Sequence, residues 1–277
     1  MYQVLDKSTI SLEIIPHLSV AKRGFKTKSC LIEIVNSILY KLKTGCQWEF
    51  LPVESLFSEV VLHYKTVFGH FRKWSKNGSW KQAWINLLSD NKSYLDLSSA
   101  SIDGSHTTAL RGGEEVAYQG RKKRKTTNAL YLADNQGLPL SMSSPVAGNH
   151  HDLYQIETSL PELFEPLVKA GILLDGLFVN ADSGFDSKVF RETCLREGIF
   201  PNVDFNYRNT GNNDAYYILD ELLYKERFTI ERTNAWMDSF RTILNRFDFT
   251  TSSWEAFNYI AFAVILLKKI KQRKKSR

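Results

Sequence analysis

The sequence predicts a mixed α/β domain, a sheet flanked by helices, behind an all-helical N-terminal region. Three observations carry this expectation. Apolar residues recur at helical spacing between residues 28 and 90. From residue 99 onward β-rich runs take over, first as a meander and then alternating with helical segments. Residues 90–99 between them are polar and break the helical period, so the expected domains are a helical one over 1–95 and an α/β one over 96–277.

Each element follows from its own pattern. Leu31, Ile34, Val35, Ile38, Leu39 and Leu42 form one apolar stripe, predicting a helix over 30–42 with Gly45 as its stop. A second periodic stretch covers 56–74, and a third, 80–88, follows an Asn77-Gly78 turn. With Arg72, Lys73, Lys76 and Lys81 exposed, these helices suit either a helix-turn-helix-like DNA module or a plain bundle. Residues 101–105 read as a strand running into a turn. Runs 128–133 and 138–146 read as a hairpin around Asp134-Asn135-Gln136-Gly137. A helix is expected over 151–170 with Asp152 as its cap, a short strand over 176–181 ending at Asp182, a helix over 188–197 and a strand over 199–203. One helical region over 222–247 and a buried helix over 254–267 complete the chain.

Composition narrows the class. In 277 residues, 43% hydrophobic content with 15 Gly and 7 Pro excludes collagen-like, low-complexity and intrinsically disordered chains. Three cysteines (Cys30, Cys46, Cys194) without Cys-x-x-Cys spacing argue against a disulfide framework or a cysteine zinc site, and fit a reducing cytosol. The first residues lack the layout of a signal peptide. The longest apolar run, 256–267, is interrupted by Asn258 and is about half the ~20 residues a membrane helix needs. No glycine-rich dinucleotide or phosphate loop supports a small-molecule enzyme.

Charge is concentrated. The net charge is +6, and Arg121, Lys122, Lys123, Arg124 and Lys125 stand in succession. Residues 268–277 hold Lys268, Lys269, Lys271, Arg273, Lys274, Lys275 and Arg277. Such clusters suit a polyphosphate backbone, whose counterions each contact releases. For the tail, a solvated terminus is an equal reading.

Asp103 and Asp182 share a setting, each ending an apolar strand and followed by small residues. A carboxylate there emerges at the carboxyl edge of a sheet, and two such groups on neighbouring strands suit a hard divalent cation. Taken singly, Asp-Gly and Asp-Ser are also ordinary turn formers. On the helix over 222–247, Trp236, Phe240, Ile243, Leu244 and Phe247 are spaced as a buried stripe. At about 100° per residue Glu231 falls nearly opposite, with Tyr224, Arg227, Asn234 and Asp238 beside it. That face borders either solvent or a metal and DNA. His150-His151-Asp152 is a weaker ligand candidate, since adjacent histidines point different ways, and His106, three residues beyond Asp103, is a weak candidate for approaching a phosphate. The tryptophans sit mostly at helical periods and read as core.

Ile38-Leu39-Tyr40-Lys41-Leu42-Lys43-Thr44-Gly45-Cys46-Gln47-Trp48 with Leu51-Pro52, Phe71-Arg72-Lys73-Trp74 and Gly78-Ser79-Trp80 form one group of motifs. Asp103-Gly104-Ser105-His106, Gly112-Gly113-Glu114, Tyr118-Gln119-Gly120-Arg121-Lys122 and Asn149-His150-His151-Asp152 form a second. Ala181-Asp182-Ser183-Gly184-Phe185-Asp186-Ser187 and Ile230-Glu231-Arg232-Thr233-Asn234-Ala235-Trp236 complete the series. In this order and spacing the chain resembles the DDE-type transposases of bacterial insertion sequences, in the large group named after insertion sequences four and five. Each motif alone is weak; together they span nearly the whole chain.

The resemblance implies a ribonuclease-H-like mixed five-stranded sheet with helices, and a metal-binding triad of Asp103, Asp182 and Glu231. It implies two Mg²⁺ ions, replaceable by Mn²⁺, that clamp the scissile phosphate. It further implies cleavage at the element's terminal inverted repeats and strand transfer into target DNA, with no covalent protein–DNA intermediate. The implied DNA contacts are Arg121, Lys122, Lys123, Arg124, Lys125, Arg227, Arg232 and Arg241. Tyr224, Arg227 and Glu231 match the family's glutamate helix. Asp238 departs where a basic residue is usual, leaving Arg241 or Arg232 for that contact. Little sequence separates the last strand from Glu231, so the inserted β-domain of some relatives is absent. The implied partners are double-stranded DNA and further copies of the chain, as a homodimer or larger synaptic assembly, in the bacterial cytoplasm at the nucleoid. The alternatives are an inactive or domesticated relative acting as a sequence-specific DNA-binding protein, or a nuclease that does not transpose.

Overall fold

The computed structural model describes residues 3–20, 29–206 and 219–275; Arg277 of the basic tail lies outside them. The main helices are α1 (Leu31–Thr44), α2 (Tyr64–Lys76), α3 (Ser79–Asp90), α4 (Ile156–Lys169), α5 (Lys188–Arg196), α6 (Glu221–Lys225), α7 (Thr229–Asp238), α8 (Arg241–Leu244) and α9 (Thr251–Lys275). The strands between residues 100 and 203 are β1 (Ala100–Ala109), β2 (Ala117–Gln119), β3 (Arg124–Asp134), β4 (Pro139–Met142), β5 (Val146–Ala147), β6 (Phe178–Ala181) and β7 (Phe200–Val203). The chain divides into two compact units. One comprises Met1–Leu87, Leu110–Glu114 and Met237–Arg277; the other comprises Leu88–Ala109 and Glu115–Trp236.

The first unit is helical. The apolar stripe of α1 is fully buried at Ile34, Val35, Ile38, Leu39 and Leu42, and the helix meets α2, α8 and α9. It stops at Gly45, whose φ of 68° is the left-handed conformation that a glycine adopts without strain. The side chains along 256–267 of α9 are buried almost throughout, as the sequence predicts. Phe257 stacks on Phe71 at 4.3 Å, and Trp84 meets Phe262 edge-on at 5.6 Å. The periodic stretch over 56–74 is not one helix. Val53–Leu56 form a single turn, and only from Tyr64 does α2 run on, with Val67, Phe71 and Trp74 buried.

The second unit is the α/β one. Its sheet runs in the order β2-β3-β1-β6-β7, with β4 and β5 also paired to β3. β3 is antiparallel to β1 and β2, whereas β6 is parallel to both β1 and β7. That is the ribonuclease-H-like sheet. α4 packs on β3, β4 and α5, while α5 packs on β7, burying Leu160, Leu163, Leu167 and Phe190.

Three local expectations fail for identifiable reasons. β1 does not turn at Gly104-Ser105; it pairs with β3 as far as Thr108↔Thr126, the β-branched Thr107 and Thr108 extending the strand. The helix expected from 151 begins only at Ile156, after Gln155 at φ 52°, so Asp152 is not its cap. The region 222–247 is broken into α6, a 3-10 turn (Glu226–Phe228), α7 and α8. Phe240 is extended (φ −97°, ψ 111°), which rotates the later residues out of register with the expected stripe. Met237, Phe240 and Ile243 are buried, but Phe247 is 46% exposed.

Candidate active site

The site residues of the α/β unit follow from where β1 and β6 part. These strands pair only at Ala100↔Val179 and Ser101↔Asn180. Asp103 lies just past that pairing, and Asp182 follows the last residue of β6, so both emerge at the carboxyl edge. Asp103 Oδ1 accepts the Gly104 N–H at 2.8 Å, and its Oδ2 accepts from Asn234 Nδ2 at 3.4 Å. Burial pushes the Asp103 carboxyl up to about 6; the Gly104 N–H and Asn234 oppose this, and the negative charges of Asp152 and Asp182 add to it.

Asp182 is exposed and caps the 3-10 turn Ser183–Phe185, its Oδ1 accepting from Gly184 N at 2.9 Å. The following loop is fixed by a buried pair. Arg191 donates from Nη2 and Nε to Asp186 at 2.8 and 3.0 Å, and from Nη2 to the Val203 carbonyl at 2.9 Å. Ser187 then caps α5.

Glu231 is exposed in the first turn of α7. The helix is seated on the sheet by polar contacts. Thr233 Oγ1 donates to the Gly137 carbonyl at 2.7 Å, and Arg232 Nη1 to the Gln136 carbonyl at 3.0 Å. Thr229 and Ser101 share a hydrogen bond of 3.2 Å, and Asn234 fastens to Asp103. Upstream, Asp220 caps α6 and exchanges two hydrogen bonds with Asn202 of β7, whose Nδ2 also donates to Asn180 of β6. Arg227 lies over the Phe228 ring at 4.0 Å and the Tyr224 ring at 5.1 Å. Its Nε is buried without a hydrogen-bond partner among the described residues. Burial raises the Tyr224 hydroxyl, against the pull of Arg227.

The structure thus bonds Asn234 to Asp103 and sets Asp182 within electrostatic reach of Asp103, while Glu231 stands one turn before Asn234 on α7. Among the described residues no group of three or more His, Cys, Asp or Glu side chains stands close enough to hold a metal ion. The donor chemistry nevertheless fits a hard divalent cation, since carboxylate and amide oxygens are what such ions take. One of these oxygens, Asn234 Oδ1, is buried without a hydrogen-bond partner among the described residues.

Arg121, Lys122, Lys123, Arg124 and Lys125 are all exposed, in the turn from β2 to β3 and at the start of β3. Lys122 Nζ donates to the His106 carbonyl at 3.3 Å, tying that turn to β1. Arg241 is exposed at the start of α8, in the helical unit. His150 stacks on Tyr154 at 3.6 Å, and His151 Nδ1 accepts from Leu153 N at 3.2 Å, so both rings are engaged locally. Sequence patterning passed over Asn234 as a partner of Asp103; its place on the Glu231 face was the available signal.

A family model described as a transposase of the IS4/5 family matches residues 12–84, and the transposase DDE domain model matches residues 96–267. The chain belongs to the transposase DDE-domain family. No curated protein matches it. Solved structures similar to this transposase-family chain include a piggyBac transposase synaptic complex with hairpin DNA, at 11% identity and a TM-score of 0.48, covering 95% of this chain and 73% of that one. Another is a Mos1 transposase paired-end complex with the left transposon end, at 12% identity and a TM-score of 0.29, covering 89% and 80%. No helix among the described residues of this family member is long and apolar enough to cross a membrane.

Proposed function

We propose that this transposase-family chain is a metal-dependent DNA endonuclease and strand transferase that cuts at terminal inverted repeats and joins the freed ends to target DNA. The observation that carries the reading is the convergence of Asp103 and Asp182 where β1 and β6 part, with the Glu231 helix fastened to Asp103 through Asn234. Asp103, Asp182 and Glu231 would hold Mg²⁺, or Mn²⁺ in its place, as two ions in the working complex. A metal held there would supply the Lewis acidity that polarises a phosphate and lowers the pKa of an attacking hydroxyl.

The chain's own residues supply the rest. The Gly104 N–H and Asn234 amide hold the Asp103 carboxylate in one orientation, and the buried Asp186–Arg191 pair keeps the loop beyond Asp182 rigid. Arg227, braced between two rings, presents a guanidinium to a phosphate, and Arg232 and Arg241 are the other candidates for such contacts. The exposed run Arg121, Lys122, Lys123, Arg124 and Lys125 holds DNA backbone beside β1. In this reading residues 1–95 recognise the element ends and 96–277 perform the chemistry, on double-stranded DNA held by at least two copies of the chain in the bacterial cytoplasm.

The test is cleavage of end-labelled DNA carrying the gene's own flanks, in Mg²⁺ or Mn²⁺, with wild type and Asp182→Asn. Metal-dependent cuts at the repeat ends, lost in Asp182→Asn with DNA binding retained, are expected. Binding without cutting in the wild type would replace this reading with a non-catalytic DNA-binding one.

A further inference from the structure

We propose that Asp152 is a positioning residue for Asp103, acting through Gly104 from the opposite face of β1; the inference rests on the cation-holding role of Asp103 proposed above. Strand alternation puts the Asp103 side chain on one face of β1, and Gly104 and His106 on the other. The space on that other face is filled by Asp152. A Cβ built on Gly104 would lie 1.9 Å from Asp152 Oδ1 and 2.3 Å from its Cγ. Gly104 has no positive φ to explain it, so the glycine is needed there because a carboxylate occupies the place of its side chain.

Asp152 is held where it is. Its Oδ1 accepts from Asn128 Nδ2 at 2.8 Å and lies 3.9 Å from His106 Nε2. Asn128 is the cross-strand partner of His106, so the two holders stand side by side on β3 and β1. His106 is held in turn by Thr126 Oγ1, 3.3 Å from Nδ1. The consequence reaches Asp103 through one peptide group. The amide that grips Asp103 Oδ1 is the N–H of Gly104, the residue against which Asp152 is pressed. Fixing Gly104 from behind therefore fixes the hydrogen bond that aims the Asp103 carboxylate. Neighbours that orient a ligand in this way are worth about 10–100-fold in metal affinity.

The experiment uses the full chain and Mn²⁺ alone, with free ion followed by its paramagnetic resonance signal and the folded fraction by circular dichroism. Asp152→Ala is expected to weaken Mn²⁺ binding by about tenfold or more, and Gly104→Ala to match it, because the added methyl evicts Asp152. Asp152→Asn keeps an oxygen for Asn128 and nearly the same shape, so it is expected to stay within about threefold of wild type. A role confined to stability would lower the melting midpoint and leave the Mn²⁺ affinity of folded protein unchanged, which would overturn the proposal. So would an Asp152→Asn as weak as Asp152→Ala, since charge and not position would then be at work. If Asp152→Ala does not fold, the contrast between Gly104→Ala and Asp152→Asn decides alone. Asp103→Asn separates the two ideas: binding lost there but intact in Asp152→Ala sinks only the role of Asp152. Binding that survives Asp103→Asn sinks the cation reading itself.

Discussion

Replacing Gly137 by alanine tests how the Glu231 helix is seated. Gly137 closes the turn between β3 and β4 at φ 80°, a conformation that costs an L-residue about 1–2 kcal/mol. Its Cβ would also lie 2.8 Å from the Thr229 carbonyl oxygen and 3.2 Å from Arg232 Cβ, both on α7. A backbone oxygen at a helix start cannot swing aside, so α7 must lift. Lifting it stretches the 2.7 Å bond from Thr233 to the Gly137 carbonyl and the 3.2 Å bond between Thr229 and Ser101, each worth about 1 kcal/mol net. The expected loss is therefore about 2–4 kcal/mol. Gly176→Ala is the control: its φ is 82°, but nothing lies within 4 Å of its Cβ, so only the backbone strain applies. Urea unfolding of the two variants should differ by about 1–2 kcal/mol, with Gly137→Ala the weaker. If cleavage is observed, Gly137→Ala should also cut more slowly while binding DNA as before. Equal destabilisation of the two variants would refute the claim that α7 rests on this turn.

Other outcomes follow from the same contacts. Arg191→Met takes the guanidinium from the buried Asp186 carboxylate and should cost about 3–5 kcal/mol in urea unfolding, whereas the double change Arg191→Met with Asp186→Leu should recover most of it. Asp134 is fully buried and accepts from Asp96 N, Gln136 N, Gln136 Nε2 and Leu138 N at 2.7–3.1 Å. Asp134→Ala strands these donors and should lower stability by about 2–4 kcal/mol, measured by thermal or urea melts. Changing Lys122, Lys123 and Arg124 together to Gln should weaken DNA binding and flatten its dependence on log salt by about 2–3, read by fluorescence anisotropy at several ionic strengths. An unchanged slope would remove this turn from the DNA-holding surface.

What could be read from the sequence was whatever repeats along the chain. The stripe of α1, the stop at Gly45 and the apolar length of α9 each declare themselves through period or a single permissive residue, and their packing obeys that pattern. The strands β6 and β7 were legible for the same reason, as short apolar runs between turns. What escaped was set by contacts distant in sequence. Gly104 after an aspartate looks like a turn; in the fold it is a strand residue made small by Asp152, 48 positions on. Asp152 before an apolar run looks like a helix cap; in the fold its carboxylate is taken by Asn128, and the helix starts at Ile156 instead. The helical wheel put Asn234 beside Glu231, but only the closure of β1 against α7 gives it Asp103 as a partner.

The same distinction explains why the Glu231 helix could be placed on a wheel yet not on the sheet. Its attachment runs through Thr233 to Gly137 and Thr229 to Ser101, and that of the preceding α6 through Asp220 to Asn202 and so to Asn180, each a polar contact with no periodicity to betray it. A purely apolar seat would bury the helix at similar gain but leave its rotation loosely set. Directional hydrogen bonds fix which face turns toward Asp103, and rotation is what a carboxylate on that helix needs controlled. The polar seat of α7 is thus where the fold's requirements and those of the proposed chemistry coincide.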